Sequence, residues 1–145
     1  MANFPIVIKL QGRPCLVVGG GDVAARKAAQ LLKADAKVTV IAPKINAALA
    51  KFAEDKRIIF LQKCYEQTDI EHIELVIAAT DDSELNNKIA AQAKSKQIMI
   101  NVVDNPDAGT FIMPSVIDRS PVMIAVSTGG ASPVLARLLR ARLET

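Results

Sequence analysis

The sequence predicts an α/β fold: a doubly wound parallel sheet followed by a small segment with strands and a helix. Three observations carry this. Short apolar runs alternate with helical patterns from Leu16 to Val103, the rhythm of β-α-β units that assemble a parallel sheet. Of the 145 residues, 50% are hydrophobic but only 3% aromatic, and such an aliphatic excess suits strands covered on both faces. A glycine triplet, Gly19-Gly20-Gly21, stands between the first apolar run and the first helical pattern.

Phe4 to Leu10 is an apolar stretch that reads as an edge strand or an arm, and it ends at the turn Gln11-Gly12-Arg13-Pro14. Leu16-Val17-Val18 is the first central strand. Ala24, Ala28, Leu31 and Leu32 recur at i, i+4, i+7 and i+8, which predicts a helix from about Asp22 to Ala34. Lys37 to Ala42 is the second strand, closed by Pro43. A helix over Asn46 to Asp55 leads to a third strand, Ile58 to Leu61. The fourth, Leu75 to Ala79, ends in Thr80-Asp81-Asp82-Ser83, a run of helix caps with Glu84 in the first turn. Leu85, Ile89 and Ala93 then repeat every four residues. Ile98 to Val103 is the fifth strand, with Asp104 at its carboxyl end. Right-handed crossovers make 3-2-1-4-5 the expected strand order.

After Asp104 the alternation breaks. Asn105 to Gly109 is a loop, and Phe111 to Val116 and Val122 to Ser127 read as two strands. Ser132 caps a last helix with Pro133 at its first position and an apolar stripe of Leu135, Leu138, Leu139 and Leu143. Residues 1–112 are thus expected to form a nucleotide-binding domain and residues 113–145 a smaller segment. The last helix reaches Thr145 with no stop signal, as in a chain truncated at its carboxyl end.

Composition narrows the function. The net charge of +3 is mild, and the scarcity of aromatics argues against a stacking surface for nucleic acid. No N-terminal signal and no apolar run of membrane-spanning length is present, which predicts a soluble cytoplasmic protein. Cys15 and Cys64 have neither metal nor redox spacing and read as inert thiols. His72, the sole histidine, sits near Glu71 and Glu74 and reads as a surface residue. No cluster has the spacing of a permanent metal site.

Gly19, Gly21 and Ala24 occupy the G-x-G-x-x-A spacing of a dinucleotide-binding turn, which makes the expected sheet Rossmann-like. The first glycine permits the tight turn, the second lets a pyrophosphate approach the backbone, and the third position keeps helix and strand close. Gly20, Asp22 and Val23 complete the turn, whose free N–H groups and helix dipole favour an anion. Ligands in such sheets bind beyond the carboxyl ends of the strands. The Gly19 turn, Pro43-Lys44, Thr80-Asp81-Asp82 and Asn101 to Asp104 all converge there. The second strand lacks the acid that normally holds the ribose hydroxyls. Lys44 is either a contact for a 2′-phosphate or a solvated lysine, so NAD and NADP both remain open at this point.

Asp104 is the candidate for acid/base work, since partial burial at a strand end would raise its pKa toward a useful range; the alternative is a turn aspartate before Asn105-Pro106. Ser127-Thr128-Gly129-Gly130-Ala131-Ser132-Pro133 is a second glycine-containing turn into a helix. Its N–H groups and hydroxyls either hold a carboxylate or phosphate or simply cap the helix. Arg119, Arg137 and Arg140 lie in the same part of the chain, as carboxylate partners or as solvated side chains.

Several stretches together resemble the N-terminal module of the siroheme synthase family, that is, the precorrin-2 dehydrogenase/sirohydrochlorin ferrochelatase family. They are Cys15 to Lys27, Ala78 to Asp82, Asn101 to Asp104, Phe111 to Pro121 and Val126 to Arg140, in the family's order along nearly the whole chain. The resemblance implies NAD-dependent oxidation of precorrin-2 to sirohydrochlorin, followed in many members by insertion of ferrous iron as a substrate. It places the general acid/base on Asp104 and the NAD contacts on Gly21, Asp22, Val23, Pro43 and Lys44. With the residues read above, the expected cofactor set is Gly19, Gly20, Gly21, Asp22, Val23, Pro43, Lys44 and Thr80. The expected tetrapyrrole set is Asn101, Ser127, Thr128, Arg119 and Arg137. The resemblance further implies a homodimer joined through the segment after the nucleotide domain, and a native chain fused in some members to a uroporphyrinogen-III methyltransferase domain. The competing expectation is a regulatory module that senses NAD(H) without catalysis. Such modules usually keep the ribose-binding acid, and they have no use for the Asn101 to Asp104 and Ser127 to Pro133 segments.

Overall fold

The computed structural model describes residues 2–145, which fall into two compact units: Ile8–Phe111, and residues 2–7 with Ile112–Thr145. The first unit holds β1 (Pro14–Val18), α1 (Asp22–Lys33), β2 (Lys37–Ala42), α2 (Ala47–Glu54), β3 (Ile58–Gln62), β4 (Leu75–Ala78), α3 (Ser83–Ser95) and β5 (Met99–Val102). All strands pair in parallel in the order β3-β2-β1-β4-β5. The expected doubly wound order is thus observed, and each strand lies within about two residues of its expected position, ordinary scatter for element ends.

The register decides where a site can form. Val18 pairs with both Ile41 and Ala78, and Ala78 pairs with Val102. Four strands therefore end level, and the chain leaves each of them along one edge of the sheet. One sheet face buries Leu16, Val18, Ile41, Val76, Ala78, Ile100 and Val102 against Ile89, Ala90 and Ala93 of α3. The four-residue repeat read from the sequence is this α3 contact. β4 is buried along its whole length, whereas edge strand β3 exposes Ile59 and Leu61.

Cys15 lies in this interior with no exposed surface. Burial, with a smaller contribution from Glu74, pushes its thiol up to about 11, so it remains a protonated, inert group. Cys64 is exposed. A thiol titration of the native protein at neutral pH should therefore count one cysteine, and in denaturant two. Two rapidly titrating thiols in the native protein would mean that β1 opens readily.

In the second unit, β6 (Ser115–Arg119) and β7 (Val122–Val126) form an antiparallel hairpin, followed by α4 (Pro133–Glu144). The first of these strands starts four residues later than the expected Phe111. Pro114 has no N–H to give a ladder, and regular pairing begins directly after it. Ser132 caps α4, its side chain accepting from Leu135 N at 3.1 Å. The expected leucine stripe exists but is exposed: Leu135 is 48%, Leu138 61% and Leu143 55% accessible, and only Ala136 of the helix is buried. Residues 4–10 pair with no strand, and Phe4, Ile6 and Val7 are exposed, so the apolar N-terminal stretch is an arm rather than an edge strand. Among the described residues, no helix is long and apolar enough to cross a membrane.

Candidate active site

The three glycines meet different surroundings. Gly19 has φ +137°, a conformation that favours glycine, and a Cβ there would overlap the Ala79 carbonyl. Its N–H donates to Ile41 O at 3.0 Å. A Cβ on Gly20 would overlap the Lys44 carbonyl oxygen, and Asn46 N donates to Gly20 O at 2.8 Å. Gly21 is the opposite case: nothing lies within 4 Å of where its Cβ would be. Gly19 and Gly20 are thus required by packing, and Gly21 is the one of the three that faces open space.

Gly21 is also the N-cap of α1, and no side chain caps that helix. Asn46, Asp82 and Ser132 cap α2, α3 and α4, so among the described residues α1 alone of these helices offers an uncapped first turn. Its free N–H groups, the helix dipole and the bare Gly21 backbone form a cradle that fits a pyrophosphate.

The cradle opens into a cleft of about 760 Å³, lined by the glycine turn, Asp22, Val23, Pro43, Lys44, Thr80 and Asp104 among others. This is a common size for a ligand pocket. All eight expected cofactor residues and the expected acid/base residue therefore border one space. Two residues that the sequence reading passed over shape its rim. Asn46 Nδ2 donates to Asp22 Oδ1 at 2.9 Å while its own Oδ1 accepts from Leu49 N, tying the starts of α1 and α2 together. Gln62 Nε2 donates to Pro43 O at 3.1 Å. Tyr65, also in the lining, donates its hydroxyl to Gln92 at 2.7 Å. Burial and then Asp69 push that hydroxyl up to about 12, so it stays a neutral donor. Lys63 is committed to Asp69 at 2.8 Å, a hydrogen bond that holds its ammonium above the usual lysine range.

Asp104 departs from expectation in one respect. It is exposed rather than partly buried, because the chain turns outward directly after β5. Its carboxylate is nevertheless held on both oxygens: Oδ2 accepts from Ser83 Oγ at 2.7 Å and Oδ1 from Asn86 Nδ2 at 3.2 Å. Asn86 is fully buried. Its Oδ1 accepts from Thr80 N at 3.2 Å and from Thr80 Oγ1 at 2.6 Å, and its Nδ2 also donates to Thr80 O at 3.0 Å. Neither Ser83 nor Asn86 stood out in the sequence beyond the helix pattern.

Of the expected tetrapyrrole residues, Asn101 alone belongs to the first unit, and it is not among the residues lining the cleft. Asn101 is 4% exposed on β5 and donates from Nδ2 to Phe111 O at 3.1 Å. Its Oδ1 is buried without a partner among the described residues. Ser127, Thr128, Arg119 and Arg137 belong to the second unit. There Ser127 Oγ accepts from Gly129 N at 3.1 Å and Thr128 Oγ1 from Ser132 N at 2.9 Å, so both hydroxyls shape the turn. Arg119 reaches Glu144 at 3.7 Å, and Arg137 is exposed. Arg140 is engaged within the unit: its Nε donates to Val116 O at 3.1 Å, and it pairs with Glu144 at 3.2 Å. No group of three or more acidic, histidine or cysteine side chains placed to hold a metal ion occurs among the described residues.

Residues 6–115 match the family model NAD_binding_7, which describes NAD(P)-binding domains, and residues 119–145 match the model for the sirohaem biosynthesis protein central region. Siroheme synthase from Methylobacillus flagellatus is 50% identical over all 145 residues. The one from Nitrosococcus oceani is 52% identical over the same span. In both cases the chain spans 31% of the relative's length. Among solved structures, SirC, a precorrin-2 dehydrogenase, superposes with a TM-score of 0.86 at 28% identity, over 97% of this chain and 69% of that one. The chain thus belongs to the NAD(P)-binding family whose model matches residues 6–115, and it is similar along its whole length to a part of siroheme synthases.

Proposed function

We propose that this chain oxidises precorrin-2 to sirohydrochlorin with NAD and then serves the insertion of ferrous iron, with Asp104 as the base in both steps. The observation that carries the reading is the placement of the Asp104 carboxylate in the same cleft as the Gly21 cradle. NAD, when bound, accepts the hydride. Asp104 takes the proton that leaves with it, and in the second step accepts pyrrole protons as ferrous iron enters. Its exposure suits this role, since a proton collected there passes readily to water. The cleft lining contains no arginine among the described residues, and its Lys63 is committed to Asp69. Lys44 also borders the cleft and is available to a 2′-phosphate, so the choice of NAD rests on the family resemblance.

Asn101, Ser127, Thr128, Arg119 and Arg137 are proposed as contacts for the substrate's carboxylates. Residues 1–112 would then be the nucleotide-binding domain and residues 113–145 the segment for association and tetrapyrrole binding. The exposed Val122, Met123, Leu138 and Leu143 support a homodimer formed through that segment. The 31% coverage of the relatives supports fusion to a further domain, the methyltransferase that the resemblance implies. The free, exposed Cys64 supports a reducing, cytoplasmic location.

The test is anaerobic. The intact protein is incubated with precorrin-2 and NAD, and sirohydrochlorin and NADH are followed by absorbance. Both should appear in step, and ferrous iron added afterwards should give siroheme. Tight NAD binding with no NADH formed would overturn the dehydrogenase reading in favour of a sensor.

A further inference from the structure

We infer that Ser83 and Asn86, at the start of α3, are positioning residues that aim the Asp104 carboxylate; the inference rests on Asp104 acting as the base. An exposed aspartate beyond a strand end would ordinarily sample several rotamers. Here two neutral donors, three positions apart on one helix face, hold one carboxylate oxygen each, at 2.7 and 3.2 Å. An ionised carboxylate oxygen accepts more than one bond, so each retains capacity for a proton from substrate.

The orientation of Asn86 is itself decided by its bonds. Its oxygen faces two donors, Thr80 N and Thr80 Oγ1, and its nitrogen faces two acceptors, Thr80 O and Asp104 Oδ1. Turning the amide over would set its NH2 against the Thr80 backbone N–H and its oxygen against Thr80 O and Asp104 Oδ1. A buried amide with all four bonds made is a rigid strut, and it links the cleft-lining Thr80 segment to the carboxylate. Its three bonds to Thr80 suffice to build the loop. The fourth bond and the Ser83 bond both end on an exposed carboxylate, where hydrogen bonds contribute little to stability. What they supply is direction, on which proton transfer depends steeply.

The experiment uses Ser83→Ala, Ser83→Thr, Asn86→Asp and Asp104→Asn in the intact protein, with kcat, the KM for NAD, NAD affinity by calorimetry and the thermal midpoint read for each. Ser83→Ala should lower kcat about tenfold, with KM and NAD affinity within about twofold, because only the aim of the base changes. Ser83→Thr, which keeps a hydroxyl, should recover most of that loss. Asn86→Asp keeps the acceptor for Thr80 but sets an oxygen against Asp104, and should lower kcat about 100-fold. In an Asp104→Asn background, Ser83→Ala should have no further effect. If Asn86→Asp does not fold, the Ser83 series decides alone. Wild-type turnover in Ser83→Ala beside an inactive Asp104→Asn would overturn the positioning role and leave the base in place. A further tenfold loss in the double variant would overturn it as well, by showing that Ser83 acts elsewhere. Wild-type turnover in Asp104→Asn would remove both the base and its positioning.

Discussion

Asp104→Ala is expected to slow precorrin-2 oxidation by about 100- to 10,000-fold, the usual contribution of a positioned general base, while NAD affinity measured by calorimetry stays at its wild-type value. The separation follows from the geometry. The carboxylate borders the cleft that holds the Gly21 cradle, but it belongs to the end of β5, and the free N–H groups belong to the start of α1. Folding should be nearly untouched, because Asp104 is exposed and the substitution deletes only two hydrogen bonds from side chains. Anaerobic turnover, calorimetry and a thermal melt on the same preparation check the three parts. Turnover within a few-fold of wild type would remove Asp104 from the mechanism.

The second large effect separates two adjacent glycines. Gly21→Val should leave the fold intact, since the position has open space and its φ of −92° is accessible to any residue. It should weaken NAD binding on the order of 100-fold, as the side chain displaces one or two charge-assisted bonds worth about 1.5–3 kcal/mol each from the pyrophosphate. Gly20→Ala should instead lower stability by about 1–3 kcal/mol or more, because its Cβ overlaps the Lys44 carbonyl and forces the β2–α2 connection away. Denaturant unfolding and calorimetry on the two variants check this. A stable Gly20→Ala protein with normal NAD affinity would show that the Lys44 segment yields easily.

The glycine motif shows how far local reading reaches. Gly19 and Gly21 were assigned turn and phosphate-approach roles from spacing alone; Gly19 has a positive φ, and Gly21 has open space where a Cβ would be. Gly20 occupies the unconstrained position of the motif. Its need for glycine comes from Lys44, 24 residues away, which no spacing rule connects to it. Asp104 illustrates the same boundary. Its place at a strand end and in the cleft was legible, but its expected partial burial was not met. Burial depends on what the chain does after β5, and there it turns outward into solvent. Asn86 gave no signal at all, since an asparagine within a helical pattern is usually an exposed polar residue. Only the docking of α3 against β4 and β5 turns it inward onto Thr80 and Asp104.

By itself the sequence determined the α/β class and the parallel order β3-β2-β1-β4-β5, and it placed the glycine turn and Asp104 at the carboxyl edge of the sheet. These follow from hydrophobic period, glycine spacing and crossover handedness, which are local or nearly local properties. Tertiary structure alone decided that Gly20 must be glycine, that Asp104 is held from both sides by Ser83 and Asn86, and that the leucine stripe of α4 stays exposed within the chain. Each of those depends on which distant segments the fold brings together, and hydrogen bonds between residues 18 and 21 positions apart leave no periodic trace in the order of the amino acids.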